Sequence, residues 1–483
     1  MTSSFSRRRF MSSVAALTAG FSGLKKASAM SEVADGWALG YGPLQKGPDG
    51  FLAVPKGFTY TIISTKGELM NDGLRVPAKH DGMGSFAGPN GTTLLIRNHE
   101  TTALDPGEGP MGKRNDMLPG FDRSKFYDPG IGDRPCTGGT TTLVYDTKNQ
   151  KLVSHHLSLT GTLRNCAGGT TPWGTWITCE ETEVSADGKK YAKDHGYNFE
   201  VPASAEPGLA DPIPLKEMGR FNHEAVAVDP KTGIVYQTED KHAGLIMRYI
   251  PNTPGKLHEG GRLEALVVLN PTLQDTRNWP QAVFDKAQTG NAGNIDKRDV
   301  VGLTGKAPWK PGRMHQVAWI ALEDIDNPKS DLRYRGFAQG AARFARGEGA
   351  WFGEGVFYFA CTNGGQKLKG QIFRYRPSPF EGTPKEVTAP GTLELYIEAN
   401  NDNLLENADN ITVAPWGDMI VCEDTKQNDI LGITPHGEVY HFAKNIYNSS
   451  EFAGACFSVD GTTLFVNMQT PGLTFAITGP WLG

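Results

Sequence analysis

The residues best equipped for chemistry in this chain are one cysteine and a recurring set of acids. In "NCAGGTTPWGTWITCEE", residues 165–181, Cys166 stands near the start and the pair Glu180 and Glu181 closes the stretch. Such a stretch suits disulfide chemistry, a catalytic thiol or a metal site, and recurrence along the chain decides between them. "NHEAVAVDPKTGIVYQTED", 222–240, carries Glu224 near its start and Glu239 and Asp240 at its end. "GEGAWFGEGVFYFACTNGG", 347–365, opens with Glu348 and closes through Asn363. "DNITVAPWGDMIVCED", 409–424, opens with Asp409 and Asn410 and closes with Glu423 and Asp424. "EFAGACFSVDGTTLFVNMQ", 451–469, opens with Glu451, and the looser "DGMGSFAGPNGTTLLIRNHE", 81–100, runs from Asp81 to Asn98 and Glu100. Cys166 thus occupies a place held elsewhere by carboxylate or amide, which reads it as a ligand. Cys179 aligns with Thr238 and Cys422 inside strand-like runs, which reads it as packing.

Acids gathered in such numbers cannot all stay ionised without counter-charge, and bound cations supply it. Carboxylate and amide oxygens suit Ca²⁺. A thiolate among them suits a transition metal, with iron a reasonable candidate. Arg346 shortly precedes Glu348, and its planar fork can hold a phosphate or another oxyanion. His99 and His223 flank ligand positions and are candidate hydrogen-bond donors to them. The chain has no G-x-S-x-G elbow, Walker loop, HExxH motif or CxxC pair.

These residues need elements that bring them together, and the repeats supply a grammar. Each has a polar opening, an alternating strand, a turn with Gly, Pro or Asp, a second strand rich in Val, Ile, Leu or Phe, and a polar tag. Period-2 alternation around turn residues spells an antiparallel hairpin. Further strand-like runs follow, such as "GLIMRYI" with "RLEALVVL", and "GQIFRYR" with "TLELYIE". Strands repeated in this way predict an all-β chain folded as a six-bladed β-propeller with inter-blade insertions including short helices. The largest insertion spans 270–345, with a helix near "GFAQGAARFAR". After the last repeat only "LTFAIT" is clearly strand-like, so "GFTYTIIST", 57–65, is expected to add the missing strand and close the ring. In a propeller the start of the first strand and the end of the second lie at one face, so openers and closers converge on one mouth of the channel.

The bulk properties agree with such a fold. With 59 glycines and 31 prolines in 483 residues, the chain is rich in turns. A net charge of −5 argues against nucleic acid as a partner. The six cysteines could pair, but Cys361 and Cys422 sit in strand-like runs and read as small buried side chains. No apolar run reaches the length of a membrane span. The start is an export address: "SRRRFM" supplies Arg7, Arg8 and Phe10 of a twin-arginine pattern, a mildly apolar stretch follows, and "ASA" at 27–29 suits cleavage. Residues 1–29 therefore read as a signal peptide, and 30–483 as a single propeller domain destined for the periplasm or the exterior.

At this point a resemblance appears. "NCAGGTTPWGTWITCEE", "RFNHEAVAV", "ARGEG" and "FAGACFSVDGTTLFVNMQTPG" resemble the PhoX-type alkaline phosphatases, from about Arg97 to the C-terminus. The resemblance implies a six-bladed propeller that hydrolyses phosphomonoesters at an iron–calcium cluster at one channel mouth. It places the iron-bound cysteine at Cys166, cluster glutamates at Glu224 and Glu348, a ligand pair at Asp409 and Asn410, and a transition-state arginine at Arg346. Glu100, Glu180 and Glu451 complete the expected metal set. The chain is shorter than familiar members, so its substrate-facing loops differ. Partners expected are a small phosphomonoester and the twin-arginine export machinery, with no nucleic acid, and the chain is expected to be a monomer. Two rivals stand: a calcium-dependent lactonase-like propeller hydrolase, and a non-enzymatic exported propeller holding calcium for stability.

Overall fold

A computed structural model of the chain describes residues 39–101, 105–290, 293–301, 308–400 and 404–482. The expected signal peptide lies outside them. The described residues are overwhelmingly β, with two short α-helices, Gln281–Gln288 and Leu332–Ala338. Both helices fall within the segment 270–345. None is long and apolar enough to cross a membrane.

The sheets are arranged like the blades of a propeller. One runs His80–Ala87, Thr93–His99, Gly138–Asp146, Lys151–Thr162, each strand antiparallel to the next. The next has Asn165–Thr170, Thr175–Glu180 and Asn198–Pro202. A nine-stranded sheet begins at His223–Val228 and ends at Gly347–Gly353. It is joined in the middle by Met314–Ala321, which pairs with Gly261–Val268 on one side and Thr392–Glu398 on the other. This strand was not legible in the sequence, where the whole segment 270–345 reads as insertion. Ala408–Val413 begins a further sheet, extended by Leu52–Pro55 and Leu44–Lys46 beyond Val439–Asn445. The last holds Phe452–Phe457, Thr463–Met468 and Leu473–Thr478, with Thr59–Thr65 paired to its outer strand.

The strands form where apolar residues alternate and glycine turns them back. Gly174 (φ +83°) closes the hairpin between Asn165–Thr170 and Thr175–Glu180 in a conformation other residues resist. Apolar faces are buried between neighbouring sheets. Phe357, Phe359, Phe373, Tyr375 and Tyr236 pack in one such layer, and Phe58, Phe442, Phe452, Phe475 and Ile477 in another. Burying each such side chain contributes about 1.5–3 kcal/mol. All six cysteines are free thiols, and Cys361 and Cys422 are buried among apolar groups.

The first strand of each sheet faces a central channel, and neighbours touch around it. Asn98 Nδ2 donates to the carbonyls of Cys166 (2.9 Å) and Ala167 (2.6 Å). Thr238 Oγ1 donates to Glu348 O (2.7 Å), Thr362 Oγ1 to Ala408 O (3.1 Å), and Gly454 N to Asn410 Oδ1 (2.9 Å). Asn467 Nδ2 donates to Asp81 O and returns the ring to its first strand. Gly454 (φ +63°) sits at that return, where a Cβ would lie 2.4 Å from Asp81 O and 2.7 Å from Met83 N. Both clashes are with backbone, and an L side chain resists that φ. Gly454→Ala is expected to destabilise the protein by more than about 1 kcal/mol, read as a lowered urea midpoint with an unchanged slope. An unchanged midpoint would mean that the strands here are not in close contact.

Candidate metal centre at the channel mouth

A repeated backbone irregularity places the acids. Five first strands begin with a regular ladder pair to the end of the second strand: His80↔His99, Asn165↔Glu180, His223↔Glu239, Gly347↔Cys361 and Ala408↔Glu423. The register then shifts, and pairing resumes at Met83, Gly168, Val226, Ala350 and Ile411. The residue just inside each shift is Asp81, Cys166, Glu224, Glu348 or Asp409. A bulge leaves such a residue out of the ladder and re-aims its side chain. Here every one is re-aimed at the same mouth. Ligand atoms of Asp81, Glu100 and Cys166 lie within 4.8 Å of one another, as do those of Cys166, Glu181 and Glu224, and of Glu224, Glu348 and Asp409. In Phe452–Phe457 the shift falls between Ala453 and Cys456, and the corresponding residue is Gly454, which has no side chain. Glu451, just before that strand, reaches the mouth by another path, within 4.8 Å of Asp409 and Asp424.

The second strands contribute the residue after their last ladder pair. Glu100 N donates to Lys79 O (2.9 Å), Glu181 N to Arg164 O (2.9 Å), Asp240 N to Asn222 O (3.2 Å) and Asp424 N to Asn407 O (3.0 Å). The acid one place earlier points the other way, because side chains alternate along a strand. Glu239 accepts from Leu245 N (3.0 Å) and Glu423 from Glu406 N (2.7 Å). Glu180 does likewise, accepting from Leu163 N (2.9 Å) and Gly196 N (2.8 Å). It therefore stands away from the mouth, and Glu181 takes the place expected for it. Asn410 lies beside the cluster with its groups engaged: its Nδ2 donates to Asp409 Oδ1 (3.1 Å) and its Oδ1 accepts from Gly454 N. His99 and His223 do not reach the acids. They bond the carbonyls of Ala78 (2.8 Å) and Gly219 (3.0 Å) in the interior.

Two arginines guard the mouth. Arg346 Nε and Nη2 grip Asp240 (2.7 and 3.0 Å), and Nη2 lies 2.8 Å from Glu348 Oε1. Arg164 contacts Glu181 and lies 2.9 Å from Glu100. Each precedes its ligand, Glu348 or Cys166, by the same interval, and each has a left-handed backbone, φ +54° and +49°. Arg164 was not singled out in the sequence, although this matching offset from Cys166 was the available signal. A cavity of about 520 Å³ opens above the cluster, lined by Arg164, Asn222, Asp240, Lys241 and Arg346 among others.

The charges here are unbalanced. Glu224 is fully buried, and neither carboxylate oxygen has a hydrogen-bond partner. Burial and then the neighbouring Glu348 push its pKa far above the ordinary carboxylate range. Burial and neighbouring acids also raise Glu181, Glu348 and Glu451. They raise Asp409 to about 8 and Glu100 to about 7. Burial and then Asp81 raise the Cys166 thiol. Only Asp240 moves down, because Arg346 outweighs its burial. An orphaned buried carboxylate costs several kcal/mol and calls for a partner. With several carboxylates gathered around one sulfur, the cluster fits cations.

The chain matches the family model described as "Alkaline phosphatase PhoX" over residues 39–117 and 136–472. No curated protein sequence matches it. Among solved structures it is similar to a gluconolactonase from Xanthomonas campestris, with 11% identity over 92% of this chain and 99% of that one and a TM-score of 0.36. It is also similar to a structural-genomics protein of unknown function from Bacteroides thetaiotaomicron, with 9% identity over 87% and 76% of the two chains and a TM-score of 0.38.

Proposed function

The chain belongs to the PhoX alkaline phosphatase family, and from that premise we propose that it hydrolyses small phosphomonoesters at a metal cluster in the channel mouth. The observation that carries this reading is the orphaned Glu224 among Asp81, Cys166, Glu348 and Asp409. Glu224 needs a cation, and the cluster around it supplies one with ligands.

The blades number six. The nine-stranded sheet counts as two of them, joined through Met314–Ala321, and the closed circuit of first strands supports that count. Residues 30–483 form this one domain, 270–345 are its main insertion, and 1–29 direct export by the twin-arginine route to the periplasm or beyond.

The cations are iron and calcium. The Cys166 sulfur favours iron, and the surrounding carboxylates favour calcium. Asp81, Glu100, Glu181, Glu224, Glu348, Asp409, Asp424 and Glu451 would hold them together with Cys166. When bound, such ions neutralise phosphoryl charge and lower the pKa of water. The protein's own groups do the rest. Asp240 and Glu348 hold Arg346 at the cavity floor, and its Nη1 makes no hydrogen bond among the described residues. That nitrogen is available to a non-bridging phosphoryl oxygen. Phosphoryl transfer needs this most as charge spreads over those oxygens in the transition state. Arg164, gripped by Glu100 and Glu181, lines the same cavity, adds positive potential to it and draws the dianion in.

Elemental analysis of the exported protein is expected to find both iron and calcium. Hydrolysis of p-nitrophenyl phosphate should disappear on chelation and return when the two metals are restored. Full turnover in metal-stripped protein would overturn the reading.

A further inference from the structure

Glu180, turned from the mouth, leads to a second cluster of different chemistry. Asp128, Cys136, Glu180 and His195 are all completely buried. His195 Nε2 lies 3.2 Å from Asp128 Oδ2 and 3.7 Å from Cys136 Sγ. Its Nδ1 lies 2.7 Å from Glu180 Oε1. One oxygen, one nitrogen and one sulfur thus lie within 4.8 Å of one another.

The two separations from His195 Nε2 suit two edges of a tetrahedral zinc ion. Bonds of about 2.0–2.1 Å to nitrogen and oxygen and about 2.3 Å to sulfur set the edges of the tetrahedron. Those edges are about 3.3 Å between N and O and about 3.5 Å between N and S, from the same bond lengths. The fourth residue is also where zinc sites need one. A metal-bound histidine donates its other ring N–H to a carboxylate, which fixes the tautomer. Glu180 occupies that place and is itself anchored by Leu163 N, Gly196 N and Tyr197 N.

The chain around the cluster has a use for such an ion. Asp128 and Cys136 lie on the long connection between Thr93–His99 and Gly138–Asp146, which among the described residues holds only single-turn helices. His195 lies on the loop between Thr175–Glu180 and Asn198–Pro202. That loop is tied to the cavity wall: His195 N donates to Val184 O (2.8 Å), and Arg220 bridges His195 O to the carbonyls of Glu183 and Val184. The match to the family model breaks off across residues 118–135, which include Asp128. Asp128 therefore lies outside the residues matched to the family model, and Cys136 and His195 lie inside them.

We propose that Asp128, Cys136 and His195 bind a structural Zn²⁺ ion, with Glu180 orienting His195, and that this ion staples two loops beside the cavity. The rival is a metal-free ion triad in which a doubly protonated His195 bridges Asp128 and Glu180, and Cys136 is a bystander. In that state two acids outweigh burial and hold the imidazolium up to a pKa of about 12. Zinc binding displaces the Nε2 proton and the thiol proton, so uptake by metal-free protein releases protons to solvent.

The full-length protein, equilibrated with zinc chloride and washed, separates the two. Anomalous scattering at the zinc edge from wild-type crystals is expected to place one ion between Asp128, Cys136 and His195. Zinc absorption spectra of a Cys166→Ala variant, which lacks the mouth sulfur, should still show one sulfur neighbour. Cys136→Ala should lose one equivalent of zinc while keeping the mouth metals. No anomalous peak at these residues, or undiminished zinc in Cys136→Ala, overturns the proposal. The crystal readout uses only wild-type protein, so poor folding of a variant leaves it decisive.

Discussion

Arg346→Ala is expected to lower turnover of p-nitrophenyl phosphate by about 10²- to 10³-fold, the cost of removing one preorganised transition-state donor, while iron and calcium stay bound. The split follows from what Arg346 touches. Its Nε and Nη2 are committed to Asp240 and Glu348. Burial opposes its charge, but Glu348 and Asp240 outweigh burial and hold its pKa above the ordinary arginine range. The guanidinium therefore remains a cation across the alkaline range. Removing it strips positive charge from beside the acids, which strengthens rather than weakens their hold on cations. Metal content should accordingly be equal in variant and wild type by elemental analysis. Arg346→Lys restores the charge but not the fork, and should recover only part of the lost rate. Equal turnover in Arg346→Ala, or loss of rate that tracks loss of metal, would remove Arg346 from the chemistry.

How much of this site the sequence discloses depends on the period of a strand. The repeats show which stretches are hairpins and that each ends in acids. They do not show which acid of a pair faces the mouth. In "CEE", "TED" and "CED" the first acid is the last ladder residue and turns inward to cap a backbone N–H. The second is released beyond the ladder and turns to the mouth, where Glu181 and Asp424 join the acid cluster and Asp240 holds Arg346. A shift of one residue flips a side chain to the other face, and that flip separates Glu180 from Glu181. The openers were legible for another reason. Asp81, Cys166, Glu224, Glu348 and Asp409 occupy one position in repeat after repeat, because one bulge recurs with them. Where the bulge shifts along its strand, at Gly454, the sequence alignment points to Glu451 instead. That residue still reaches the cluster, although from before the strand. The strand Met314–Ala321 was hidden because an irregular stretch precedes it and its partner Thr392–Glu398 is far away in the chain. Arg164 had one signal, the offset from Cys166 that matches that of Arg346 from Glu348, but an offset shared by only two repeats does not stand out as a period.

Metal-stripped protein should lose stability as pH rises from about 4 to about 8, and added cations should reverse this at the alkaline end. The sign comes from the raised carboxylates. In the unfolded chain they titrate near 4. In the fold, burial and the neighbouring Asp81 raise Glu100 to about 7, and burial with Asp424 raises Asp409 to about 8. Over that window the folded state binds more protons than the unfolded one, so stability falls with rising pH. A tenfold difference in proton affinity between the two states corresponds to about 1.4 kcal/mol, so the combined effect is on the order of several kcal/mol. Glu239 and Glu423, away from the mouth, are raised as well, chiefly by burial. They lower stability toward alkaline pH whether metal is present or not. The cation-dependent part belongs to the mouth, because ions bind ionised ligands and only in the folded state. Glu224→Gln isolates it further. It replaces an orphaned buried charge with a neutral group of the same shape, so the stripped variant should melt several degrees above stripped wild type at pH 8. The same change removes a ligand, so calcium and iron should stabilise the variant less, and its turnover should fall. Melting curves at pH 5 and pH 8, with chelator and with metals, give all four comparisons. If stripped wild type melts no lower at pH 8 than at pH 5, or if Glu224→Gln melts lower than stripped wild type, the acids do not repel one another at the mouth. In that case no cation is needed to hold them together.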